Sequence, residues 1–77
     1  MDKVTVTIKL FAMLREGRFD ARTEVFPAGV TAGDIIKRLG IPEREVTLIF
    51  INNRHGQIDT KLADGDTIAL FPPVGGG

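Results

Sequence analysis

Seventy-seven residues, with ten Lys and Arg against ten Asp and Glu, make a single domain without the basic excess that a nucleic-acid module carries. The sequence holds no Cys, Ser, Tyr or Trp and one His. That excludes a disulfide scaffold, a thiolate or His-rich metal site, and Ser, Cys or Tyr nucleophiles. The apolar fraction of 43% supports one small core, in a size range where about 60% of the unfolded surface is buried on folding.

No transmembrane run, secretory signal or basic presequence is legible. The expectation is a soluble cytoplasmic protein with neither membrane nor nucleic acid as partner. Any chemistry it enters, it enters as a substrate, carrier or subunit.

In chain order, Val4, Val6, Ile8 and Leu10 alternate with Thr5, Thr7, Lys9 and Phe11. This period of two predicts a strand whose even positions face the core. Ala12 to Phe19 has no clear period, and Gly17 with Arg15, Glu16 and Arg18 predicts an exposed turn. Arg22 to Phe26 predicts a second strand, paired antiparallel with the first because the two are close in sequence. Thr31 followed by Asp34 reads as a helix start. Ala32, Ile35, Ile36 and Leu39 then form one apolar stripe, with Lys37 and Arg38 in the last turn and Gly40 and Pro42 ending the helix.

Beyond a polar connection at Pro42 to Glu45, Val46 to Ile51 predicts a strand apolar on both faces. Asn52 to Gly56 carries turn chemistry, and Ile58 is expected to begin a short edge strand. Leu62 to Asp66 predicts a tight turn with positive φ at Gly65. Thr67 to Phe71 is the last strand, with Ile68 and Leu70 toward the helix and Thr67, Ala69 and Phe71 on the opposite face. One helix covers one face of such a sheet. The other is left partly open, carrying Phe11, Phe71 and one set from Val46 to Ile51, and such a patch suits docking.

After Phe71 the chain reads Pro72-Pro73-Val74-Gly75-Gly76-Gly77. The prolines fix φ and remove two donors, so the sheet ladder cannot continue. Six residues extend roughly 20 Å, and glycines pass a channel too narrow for other residues. The group so delivered is the α-carboxylate of Gly77. The reading divides the chain into a domain at 1–73 and a flexible glycine tail at 74–77. His55 reads as an exposed turn residue, Asp64 and Asp66 as turn residues without a calcium-loop pattern, and Arg15, Arg18 and Arg22 as a solvated surface.

The ββαβ(β)β order, the Leu62-x-Asp64-Gly65-Asp66 turn, the Leu10-Phe11-Ala12-x-Leu14-Arg15-Glu16 stretch and the Phe71-Pro72-Pro73-Val74 exit ending in Gly76-Gly77 together resemble the ubiquitin-like sulfur carriers. The resemblance covers essentially the whole chain. Within the family it is closest to the small subunit of molybdopterin synthase (MoaD-like), with the thiazole-forming ThiS proteins as relatives. Two departures stand out: an extra glycine at Gly75, and an Asn52–Ile58 connection without the plain Asn-Gly turn common in relatives.

The resemblance implies an α+β fold of the β-grasp type, a mixed sheet of four to five strands with one main helix on one face and the first and last strands parallel at its centre. It also implies a chemistry. An adenylating enzyme of the ubiquitin-activating type (MoeB/ThiF-like) would use ATP to activate the Gly77 carboxylate, and sulfur from a persulfide donor would convert it to a thiocarboxylate. The charged tail would enter the large subunit of molybdopterin synthase (MoaE-like) and give sulfur to a pterin precursor, building the dithiolene that holds molybdenum or tungsten.

On this reading Gly77 and Gly76 carry the chemistry, and Phe71, Pro72, Pro73, Val74, Gly75 and Phe11 bind the partner, with Phe71 as anchor. The chain would bind no metal and no permanent cofactor, and catalysis would reside on the large subunit. Two alternatives use the same tail. One is a sulfur carrier for thiamine thiazole, tRNA thiolation or cysteine synthesis; the other is a ubiquitin-like modifier joined through Gly77 to a lysine.

Overall fold

The computed structural model describes residues 2–73. Strand β1 (Lys3–Leu10) pairs antiparallel with β2 (Ala21–Pro27), in a register that sets Thr7 opposite Thr23 and Lys9 opposite Ala21. Helix α1 (Ala32–Arg38) crosses over, and β3 (Leu48–Ile51), β4 (Arg54–His55) and β5 (Thr67–Phe71) complete a five-stranded sheet in the order β2-β1-β5-β3-β4. β5 runs parallel to β1, with Ile8 opposite Ile68 and Leu10 opposite Leu70, and antiparallel to β3. The sheet is therefore mixed, and its two most buried strands come from opposite ends of the chain.

The alternation in β1 does what its period dictates. Val6, Ile8 and Leu10 are buried against Ile35 and Ile36 of the helix and Ile68 and Leu70 of β5. Burial of each such side chain stabilises by about 1.5–3 kcal/mol, and among the described residues no polar or charged side chain is buried with them. The predicted helix stripe is the core face: Ala32, Ile35 and Ile36 are buried and Leu39 packs at the margin.

The helix start is more elaborate than its cap. Thr31 and Asp34 form the full capping box: the Asp34 amide donates to Thr31 Oγ1 at 3.2 Å, and the Thr31 amide donates to Asp34 Oδ2 at 3.0 Å. The next two amides, those of Ala32 and Gly33, donate to the carbonyls of Thr60 (2.9 Å) and Ile58 (2.7 Å). A distant loop thus satisfies donors that a helix N-terminus leaves open. Gly33 permits that approach, since a Cβ there would lie 2.7 Å from Ile58 Cγ2.

This corrects the expectation for Ile58. It begins no edge strand; it lies in a turn with its carbonyl on the helix, and the edge strand is Arg54–His55. The period of two over so short a stretch could not show that the loop's backbone was claimed elsewhere. Asn52 and Asn53 alone form the turn, at φ 53° and 68°, the left-handed pair of a two-residue hairpin that Asn tolerates well. Asn-Asn thereby does the work of the Asn-Gly it lacks.

Two further boundaries moved. Val46 closes a 3₁₀ turn by donating to Glu43, so β3 starts at Leu48. Ala12–Arg15 is also a 3₁₀ turn; Arg15, Glu16 and Arg18 are exposed as expected, while Leu14 within the turn is 1% exposed and belongs to the core.

Candidate functional site

The sheet face away from α1 is open, and its two ends differ. Toward the start of β1 and β5 it is lined by threonines, where the Thr7 and Thr23 hydroxyls meet at 3.2 Å. Toward the end of β5 it is aromatic. Phe11 and Phe71 stack with ring centroids 4.3 Å apart and planes 11° from parallel. Phe50 meets Phe71 edge-on at 5.6 Å, and His55 meets Phe50 edge-on at 6.0 Å. The Arg15 guanidinium lies 5.9 Å above the Phe11 ring, within cation–π range. All three phenylalanines are half-buried, so each keeps surface to offer.

Local structure explains this grouping. Phe71 projects from the last residue of β5, in register with Leu48 of β3. Phe11 is the first residue beyond β1, still extended at φ −125° and ψ 151°. Ala12 then turns into the left-handed region at φ 54°, a conformation that costs a residue with a Cβ about 1–2 kcal/mol. This reversal places Leu14 in the core while Phe11 stays over Phe71.

Phe11 and Phe71, both expected on the open face, lie there in direct contact. The chain leaves β5 through Pro72, which is buried, and Pro73, which is exposed. Val74, Gly75, Gly76 and Gly77 lie outside the described residues. Sequence reasoning did not single out Phe50 or His55 as site residues. Phe50 was legible only as one of a run apolar on both faces, and the hairpin register that sets His55 beside it depends on where the turn falls.

The Asp64-Gly65-Asp66 turn is a clamp. Gly65 takes φ 88°. Its amide donates to the Thr5 carbonyl at 2.7 Å, while the Thr5 amide donates to Asp64 Oδ1 at 2.7 Å. Asp66 accepts from the Ala63 amide at 2.7 Å and from Asn52 Nδ2 at 2.8 Å, and Asn52 Oδ1 in turn accepts from the Thr67 amide at 3.0 Å. The two aspartates thus fix the start of β5 against β1 and the β3–β4 turn. Among the described residues no grouping of His, Asp and Glu could hold a metal ion.

The arginines are likewise occupied locally. Arg22 pairs with Glu24 at 2.6 Å and lies 4.2 Å over Phe19; Arg18 donates to the Leu14 carbonyl at 3.2 Å; Arg15 lies 3.9 Å from Asp20. Among the described residues no helix is long and apolar enough to cross a membrane.

This geometry has known counterparts. A match to the ThiS family runs over residues 8–77. The putative molybdopterin converting factor, subunit 1, from Pyrococcus furiosus is 30% identical over 92% of this chain and 99% of its own, with a TM-score of 0.74. SAMP1 from Haloferax volcanii is 27% identical over 95% of this chain and 99% of its own, also at 0.74. In the Helicobacter pylori complex of subunits 1 and 2 of molybdopterin-converting factor, the matching chain is 26% identical over 96% of this one and 100% of its own, at 0.60. The mixed sheet with one crossing helix is the β-grasp arrangement shared with ubiquitin-like domains. On its sequence match and its fold, the chain belongs to the ThiS family, the ubiquitin-like sulfur carriers that its sequence resembles.

Proposed function

We propose that this chain is the sulfur-donating small subunit of a molybdopterin synthase. The observation that carries the reading is the family match, which extends through the terminal glycines to Gly77 in a chain 30% identical to a molybdopterin converting factor subunit 1. The open aromatic face beside the exit of β5 supports it, because it offers half-buried apolar surface next to the point where the chain leaves the sheet. The Helicobacter pylori relative is itself found in complex with subunit 2.

The chemistry would run through the Gly77 carboxylate. A carboxylate is a poor electrophile. Attack of one carboxylate oxygen on the α-phosphorus of ATP releases pyrophosphate and leaves an acyl adenylate. A persulfide sulfur displaces AMP, and a thiol cleaves the acyl persulfide, leaving the thiocarboxylate and a disulfide. The thiocarboxylate is a soft nucleophile toward an activated carbon of the pterin precursor, and hydrolysis of the resulting thioester returns the carboxylate. This chain's part is delivery. Gly75, Gly76 and Gly77 pass where a side chain would not, and Pro72 and Pro73 reduce the entropy lost on insertion. Residues 1–73 act as the folded body and 74–77 as the delivered tail. ATP belongs to the adenylating enzyme, and the catalytic groups of transfer to the large subunit.

A second reading has its own support. SAMP1 from Haloferax volcanii matches as well as the Pyrococcus furiosus subunit by TM-score. As a modifier, the chain would use the same activated Gly77 to acylate a lysine amine.

The test is intact mass after incubation with ATP, an adenylating enzyme and a persulfide donor. Exchange of one oxygen for one sulfur, localised to the Gly77 peptide, is expected, followed by loss of that sulfur to the pterin precursor when the large subunit is added. Loading without transfer would overturn the molybdopterin role. Lysine-linked adducts in its place would favour the modifier.

A further inference from the structure

Lys9 lies on the open face and takes no part in the aromatic cluster. It projects from β1, whose neighbours on both sides are strands, and the residues opposite it are both alanines, Ala21 on β2 and Ala69 on β5. Neither can pair with an ammonium. Asp66 is held by Asn52 and Ala63, and Asp20, largely exposed, turns to Arg15 at 3.9 Å. Among the described residues Lys9 makes no ion pair. With Phe11, Phe50 and Phe71 it lines an open depression of about 490 Å³. Lysines often blunt an exposed sheet edge, but β1 is interior and has no edge to protect.

We propose that Lys9 selects the partner: the surface that covers the Phe11–Phe71 stack presents an acidic side chain beside its apolar one, and that carboxylate pairs with the Lys9 ammonium. The inference rests on the docking reading above. Covering the aromatic rings also removes water from Lys9, and burying an ammonium without a counter-charge opposes binding. An apolar partner surface would meet that cost in full. A partner with a carboxylate at this point avoids it and gains specificity, because a competitor that is apolar or basic there is rejected.

The test is calorimetric titration of the full chain against two probes from the same organism, the large subunit of molybdopterin synthase and the ubiquitin-activating-type adenylating enzyme. Wild type, Lys9→Arg, Lys9→Met, Lys9→Glu and Phe71→Ala are compared at low and high salt. Lys9 is exposed and makes no ion pair among the described residues, so these variants keep the folded state. For at least one probe, Lys9→Arg is expected to stay near wild type, Lys9→Met to weaken binding roughly tenfold and Lys9→Glu roughly a hundredfold, with the salt dependence of wild type lost in Lys9→Met. If Lys9→Met binds both probes as tightly as wild type while Phe71→Ala does not, the acidic contact is wrong and the docking face stands. If Phe71→Ala binds both as wild type does, or wild type binds neither, the docking reading fails and the Lys9 inference with it.

Discussion

The two faces of the five-stranded sheet use alternate residues of the same strands but follow different rules. On the helix side, Ile8, Leu10, Ile68 and Leu70 are closed off, and among the described residues no polar side chain is buried with them. On the other side, Phe11, Phe50 and Phe71 hold one another in place while remaining half-exposed. Leu70 and Phe71 are adjacent in sequence and separated in role by the pleat alone. A closed apolar face stabilises the molecule. An open one contributes less to folding and keeps area in reserve for a partner.

That contrast can be broken by substitution, and the sizes are ordered. Leu70→Ala should cost the most, about 2–5 kcal/mol of unfolding free energy, since it leaves a cavity in the closed face; chemical denaturation reads this directly. A loss below about 1 kcal/mol would mean that the core is not where the burial places it. Asp66→Ala should cost about 1–2 kcal/mol, because the Ala63 amide and Asn52 lose their acceptor together and each such bond contributes about 1 kcal/mol. The same variant should loosen the Asn52 turn, seen as faster amide exchange at Thr67.

Phe71→Ala sharpens the comparison. Its stability loss should be about 1–2 kcal/mol, the scale of two aromatic contacts on a half-buried ring, while its partner affinity should fall by more than about 2 kcal/mol, as for an interface anchor. Equal effects on both readouts would remove the distinction between the faces. Smallest of all, a chain ending at Pro73 should unfold within about 0.5 kcal/mol of the full chain, the range of changes away from packed features, yet accept no sulfur. A clear loss of stability on truncation would show that the tail belongs to the body.

Much of this was legible because local signals agreed. The β1 alternation, the Thr31–Asp34 capping box, the apolar stripe of α1 and the Gly65 turn each specify one local geometry, and each occurs as read. The open face could be anticipated by counting, since one helix covers one side. What escaped were features that depend on residues far apart. Ile58 does not extend as a strand, because its carbonyl is taken by the Gly33 amide 25 positions upstream. Leu14 is core because Ala12 adopts a left-handed conformation that no residue type there announces. Asp64 reads as an ordinary turn residue, and its hold on the Thr5 amide becomes visible only when β1 and β5 lie side by side.

The sequence by itself therefore determined the main strands and the helix with their buried sides, since alternation and capping act within a few residues. Tertiary structure decided the site. Phe11 and Phe71 stand 60 positions apart, and they stack because β1 and β5 pair in parallel at the centre of the sheet, in a register that puts Leu10 beside Leu70. The same pairing leaves Lys9 between two alanines. No local pattern encodes either juxtaposition, because both follow from which strands become neighbours once the core has closed.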